Sequence, residues 1–146
     1  MIVHPLPMPP WKAAWVHRIA PRLPDSALAA LRMALENDDP RLTQGTTVYP
    51  NGLRSQDYPE KACPMGYAGW HGESLTTCEK VQAFFNALRD ACEADEGASG
   101  GEGYFTDFVR WWDLTPREFA VPLLLAAVVE TIRERNPTAF AEGVTP

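Results

Sequence analysis

TTCEKVQAFFNALRDAC, residues 76–92, is the stretch whose reading decides the fold class. Cys78, Val81, Phe85, Leu88 and Cys92 recur at i, i+3, i+7, i+10 and i+14, and Phe84 widens that stripe. Such spacing marks an amphipathic helix buried along one face. Thr76 and Glu79 read as a capping-box pair at its start, hydroxyl and carboxylate each satisfying an N–H of the first turn.

The helical period continues on both sides. Upstream, Trp11, Trp15 and Ile19 form one stripe behind Pro10, whose fixed φ suits a first helical turn, and Pro21 ends that helix. A second helix starts near Asp25 or Ser26, buries Leu28, Leu31 and Leu35, and stops at Asn37-Asp38-Asp39-Pro40. Downstream, Phe105, Phe108, Val109 and Trp112 share one face of a short helix. Thr115-Pro116-Arg117-Glu118 then combines an N-cap, an N1 proline and an N3 glutamate. The run Phe119–Ile132 is apolar nearly all round and predicts a central buried helix, in which Pro122 should cause a kink or a lost hydrogen bond.

Residues 40–75 differ in kind, with five glycines and four prolines. Thr46–Tyr49 has strand-like composition, Pro50-Asn51-Gly52 is a turn signal, and Leu53-Arg54-Ser55 offers a return strand. Residues 95–103 read as a flexible, acidic, glycine-rich loop. The expected architecture is therefore mainly α: a single compact domain of about five helices over residues 11–136. An irregular, hairpin-bearing segment separates helices two and three. Residues 1–10 form an extended Pro-rich arm, and 137–146 a loose tail.

Composition agrees with one domain. The 146 residues are 45% hydrophobic and 22% charged, ordinary for a globular chain, with excesses in 14 Pro and 5 Trp. Nineteen acidic residues against 13 basic ones give a net charge of −6, which argues against a dedicated nucleic-acid binder. The charge is uneven. Residues 1–35 hold four basic side chains and one acidic (+3), and residues 61–103 hold three basic and seven acidic (−4). Ala120–Val129, the strongest apolar run, is too short for a bilayer. With no export signal in Met1–Pro10 and three cysteines without paired spacing, a soluble cytoplasmic protein is expected.

Chemistry-bearing motifs are sparse. Cys63, His71, Cys78 and Cys92 are zinc-ligand types, yet their spacing lacks a knuckle, and Cys78 and Cys92 fall on the apolar stripe; no metal or other cofactor is expected. Cys63 with His71 as its base is the weak catalytic pairing on offer, without a third group to orient the imidazole. Trp11, Trp15, Trp70, Trp111 and Trp112, with Arg18 and Arg22, are the candidate partner-binding residues, since Trp and Arg dominate interface hot spots. Trp111 and Trp112 cannot face the same side of one helix, so one of them should meet a second element or a partner.

Thr43-Gln44-Gly45, Cys63-Pro64-Met65-Gly66-Tyr67 and Trp111-Trp112-Asp113-Leu114-Thr115 follow one another in a recognisable order. In this order the chain resembles a family of small bacterial and phage proteins of unknown function, with a T-x-G, C-x-x-G, W-x-D-x-T pattern. Tyr67 and Trp112 depart from that family's usual small residue and Asn. The resemblance implies an α-rich fold over about 100 residues, with Cys63 and Gly66 shaping a tight helix start. It implies nothing about chemistry.

The resulting expectation is a non-enzymatic binding or regulatory protein that docks a macromolecular partner, such as an inhibitor or modulator of RNA polymerase or of a defence complex. The alternatives are a small Cys63/His71-dependent enzyme and a toxin-immunity protein. The oligomeric state stays open.

Overall fold

The computed structural model describes residues 8–50, 57–99 and 103–136. Six α-helices and one two-stranded antiparallel sheet make up the described residues, in the order α1 (Pro10–Ala14), α2 (Asp25–Glu36), β1 (Val48–Tyr49), β2 (Lys61–Ala62), α3 (Pro64–Tyr67), α4 (Cys78–Ser99), α5 (Phe105–Leu114) and α6 (Arg117–Arg135). The mainly α expectation holds. The additional helix is α3, which grows out of the irregular middle. Its first residue is Pro64, and Cys63 stands at its N-cap, where its Sγ accepts the Gly66 N–H at 3.4 Å.

Two helices continue with a wider winding. α1 passes into a π turn at Trp15–Ile19 and a 3₁₀ turn at Ala20–Arg22 before Pro24. α3 passes into a π turn at Ala68–Gly72. Wider turns of this kind re-aim side chains partway along a helix. The second one lies against α2, where a Cβ on Gly72 would sit 2.5 Å from the Ala27 Cα. Only glycine allows that backbone approach.

The stripe in α4 packs as its spacing demands: Cys78, Val81, Phe85, Leu88 and Cys92 are all buried. The helix starts one residue later than the capping box suggested. Thr77 is the cap, its Oγ1 accepting the Lys80 N–H at 3.2 Å. α4 then runs on through Ser99, so residues 95–99 are helical rather than part of a flexible loop. Their helicity has an electrostatic reason: Asp95 accepts Arg18 at 3.3 Å and lies 3.8 Å from Arg22. Two of the basic residues near the N-terminus thus meet one carboxylate of the acidic stretch within the chain.

The sheet pairs Val48 with Ala62 and Tyr49 with Lys61. The partner of β1 is therefore Lys61–Ala62, and the strand expected at Leu53–Ser55 lies outside the described residues. So do residues 1–7 of the expected arm, 100–102 of the expected loop, and the expected tail 137–146.

The core centres on Trp15, Ile19, Leu31, Phe105, Phe108 and Trp112, with Leu28, Leu42, Met65 and Leu124 also sealed from solvent. α6 is only half inside. Ala120, Val121, Leu124, Ala127 and Val128 are buried against the rest, while Phe119 is 57% and Leu123 48% exposed. The expectation of a fully buried helix fails because α6 covers one side of the bundle as its outer layer. This also accounts for Pro122. It lies on the exposed face, as does Glu118, whose carbonyl loses its helical partner where water can replace it.

Candidate functional site

α5 is the helix around which the candidate residues are distributed. Toward α1 it presents Phe108 and Trp111. Trp111 stacks on Trp11 with ring centroids 3.9 Å apart and planes inclined by 8°, and Phe108 packs on Trp15 at 5.9 Å. Of the adjacent tryptophans, Trp112 is buried and Trp111 meets the second element, as neighbours diverging around one helix must.

The two most deeply buried indoles have their N–H groups satisfied. Trp15 Nε1 donates to Thr131 Oγ1 at 3.0 Å, and Trp112 Nε1 donates to the Thr43 carbonyl at 2.8 Å. Trp70 is half-buried, with the Arg41 guanidinium 5.8 Å from its ring centroid. No described indole therefore stands out from the surface as an anchor. Large aromatic side chains carry so much apolar area that a domain of this size takes them inside.

Arg18 is also internal, at 2% exposure. Its Nε donates to the Gly103 carbonyl at 2.7 Å and its Nη1 to Asp95. Gly103 has φ +77°, and a Cβ there would lie 2.3 Å from the Ala14 nitrogen. Arg22 keeps an exposed stem but is held by Asp95 and by the Arg18 carbonyl, to which it donates at 2.8 Å. Both arginines join elements of this chain.

No hydrogen bond joins Cys63 and His71 among the described residues. The thiol is buried, and burial, with a smaller contribution from the Asp113 carboxylate, pushes its pKa up to about 12. It stays protonated and is a poor nucleophile. His71 packs on the rings of Tyr67 and Trp70, at 4.4 and 4.3 Å, and burial and then the Arg41 charge push its pKa down. Burial likewise raises the Cys78 and Cys92 thiols, the latter to about 11. Among the described residues no group of three or more His, Cys, Asp or Glu side chains is placed to hold a metal ion.

The three segments that carry the resemblance do come together. Gln44 Nε2 donates to the Trp112 and Thr115 carbonyls at 2.5 and 2.6 Å, closing the C-terminal end of α5. The Gly45 N–H donates to Asp113 Oδ1 at 2.9 Å. Cys63, Met65, Trp112 and Asp113 then line a recess of about 130 Å³ with Gly45 and Thr47. Arg117 locks the same corner by donating to Asp38 Oδ1, the Asp39 carbonyl and the Leu42 carbonyl.

On the far side of Phe85, Val109 and Asp113, which border both spaces, an open groove of about 420 Å³ lies between α4 and α5. Its walls are largely apolar, from Phe85, Phe105, Val109 and Leu114. Arg89 and Arg110 stand at its edges. Leu114, 75% exposed, extends this apolar wall to the surface. The groove residues were missed in the sequence because Val109 and Leu114 read as ordinary members of a helix. The available signal was Leu114, an apolar residue at a helix end just before Thr115-Pro116.

Comparison with protein-family models, with curated proteins and with solved structures finds no match for this chain. Among the described residues no helix is long and apolar enough to cross a membrane.

Proposed function

We propose that the protein is a non-enzymatic binding and regulatory protein that docks a macromolecular partner on the groove between α4 and α5. Modulation or inhibition of a larger complex, such as a polymerase or a defence assembly, is the kind of task that such a protein performs. The observation that carries the reading is the groove itself: concave, apolar, of ligand-site volume, and bordered by the outstanding Leu114. A buried thiol at Cys63 with no hydrogen bond to His71 among the described residues favours binding over thiol catalysis.

The test is crosslinking in the native host with two variants compared against the parent chain. Leu114→Asp should lose a crosslinked partner that Met33→Asp retains, since Met33 is 64% exposed on α2 and does not line the groove. Equal recovery of every partner by both variants overturns the assignment of the groove.

A further inference from the structure

We infer that the occupant of the α4–α5 groove is a second copy of this chain. The two α5 helices cross antiparallel, so that Leu114 of each copy seats in the groove of the other and Arg110 of each meets Asp113 of the other. This rests on the docking role proposed for the groove and names the partner that it takes.

Self-complementarity lies in the order of residues along α5. Val109, Arg110, Asp113 and Leu114 read apolar, basic, acidic, apolar, and all four line the groove. Antiparallel copies whose midpoint falls between Trp111 and Trp112 set each of them opposite its complement. Arg110 then faces Asp113 and Val109 faces Leu114, both contacts occurring twice. A closed twofold contact requires this of a surface, that one patch match itself. Arg110 is exposed. Asp113 is half-buried, spends one oxygen on the Gly45 N–H at 2.9 Å and keeps its negative charge. Moving the midpoint onto Arg110 or onto Asp113 would bring like charges together, so the register is selected along with the direction.

Leu114 supplies the knob and the groove its hollow. The leucine stands 75% exposed at the lip, beside apolar walls from Phe85, Phe105 and Val109. Across a twofold axis the two features on one face cover each other. Copies of net charge −6 repel one another at a distance, so a stable contact between them has to join opposite charges locally. The wall on α5 from Phe105 to Leu114 runs for about 14 Å at 1.5 Å per residue. A contact of that length belongs to the small end of specific interfaces and makes a reversible dimer.

Sedimentation equilibrium of the full chain tests this. Monomers should pass to dimers as the concentration rises to about 0.1 mM, the range of a small transient interface. Leu114→Asp and Arg110→Glu should each raise the dimer dissociation constant at least about tenfold, because a twofold contact meets every change twice. Both side chains are exposed, so circular dichroism and melting should match the parent chain. Arg110→Cys sets two thiols beside the axis within disulfide reach and should crosslink the copies under mild oxidation, whereas Met33→Cys on α2 should not. A chain that stays monomeric at that concentration overturns the second copy as occupant. Crosslinking in the host then separates the two readings: a partner lost by Leu114→Asp leaves the docking role standing, and no loss overturns that as well. A dimer that Leu123→Asp disperses and Leu114→Asp leaves intact lies on α6 and overturns the inference, as does equal crosslinking through Met33→Cys.

Discussion

The two sides of α5 solve opposite problems. Toward α1 the helix meets an aromatic partner at every turn, and the polar groups in that contact are matched: Trp11 lies on Trp111, Trp15 on Phe108, and Arg18 spans to Asp95 and Gly103. Toward α4 the same helix leaves a groove edged by Arg110 and the exposed Leu114. A helix that had only to complete the core would not need the second side in that form. Stability is concentrated on the first, and the docking role proposed above falls on the second.

Substitutions should separate the two. The largest effect is expected at Arg18, where methionine removes a buried cation and strands the Gly103 carbonyl. Destabilisation of about 3 kcal/mol, the upper range for a stranded buried carbonyl, should appear as a lower denaturant midpoint. A loss under about 1 kcal/mol would show that the α1 side is not the stabilising one. Gly103→Ala comes next, at about 1–3 kcal/mol, because the added Cβ meets the α1 backbone at a positive φ. Trp111→Ala should cost about 2 kcal/mol, the worth of a half-buried stacked indole, read from the melting temperature.

A pH titration probes the recess between the two sides. The Cys63 thiol titrates near 12 in the folded chain against 9.0 for an ordinary thiol, so between those values the folded state holds a proton that the unfolded state has released. Stability is therefore full below about pH 9 and falls as pH rises toward 12, by about 1 kcal/mol at pH 10. Cys63→Ser should remove its own share of that alkaline slope and leave the part that Cys92 and Cys78 contribute. Rapid alkylation of Cys63 in the folded protein at neutral pH would contradict its protonated state. The smallest effect belongs to Leu114→Asp, within about 0.5 kcal/mol of the parent in stability despite abolishing docking. A large loss of stability there would break the contrast between the sides.

Periodicity exposed most of the bundle. The stripes of α2, α4 and α5 are buried at most of the residues their spacing selects, with Phe84 and Val109 half-buried, because a helix has one direction in which to hide its apolar side chains. What periodicity could not supply was contact across sequence distance. Thr46–Tyr49 announced a strand, but its partner Lys61–Ala62 carries no strand signature, being two residues long and chosen by the path of the backbone. Asp95 and Glu96 looked like loop because of the glycines after them, yet Asp95 is drawn to Arg18 and Glu96 accepts the Phe105 N–H at 2.7 Å. The tryptophans drew attention as surface anchors when the docking candidates were the less conspicuous Val109, Arg110 and Leu114. Residue type alone says how much an aromatic gains from burial, and not whether a partner or the core provides it.

The two buried indole N–H groups span great lengths of chain, 116 residues from Trp15 to Thr131 and 69 from Trp112 to Thr43. Each is therefore a built-in reporter of global assembly, visible as a single proton resonance in a region of the NMR spectrum clear of backbone amides. Local fraying of a helix end leaves both bonds intact, whereas exchange of either proton with solvent demands that distant parts of the chain separate. Two resolved peaks suffice to time the opening of α1 from α6, and of the 43–45 turn from α5, separately and without a label.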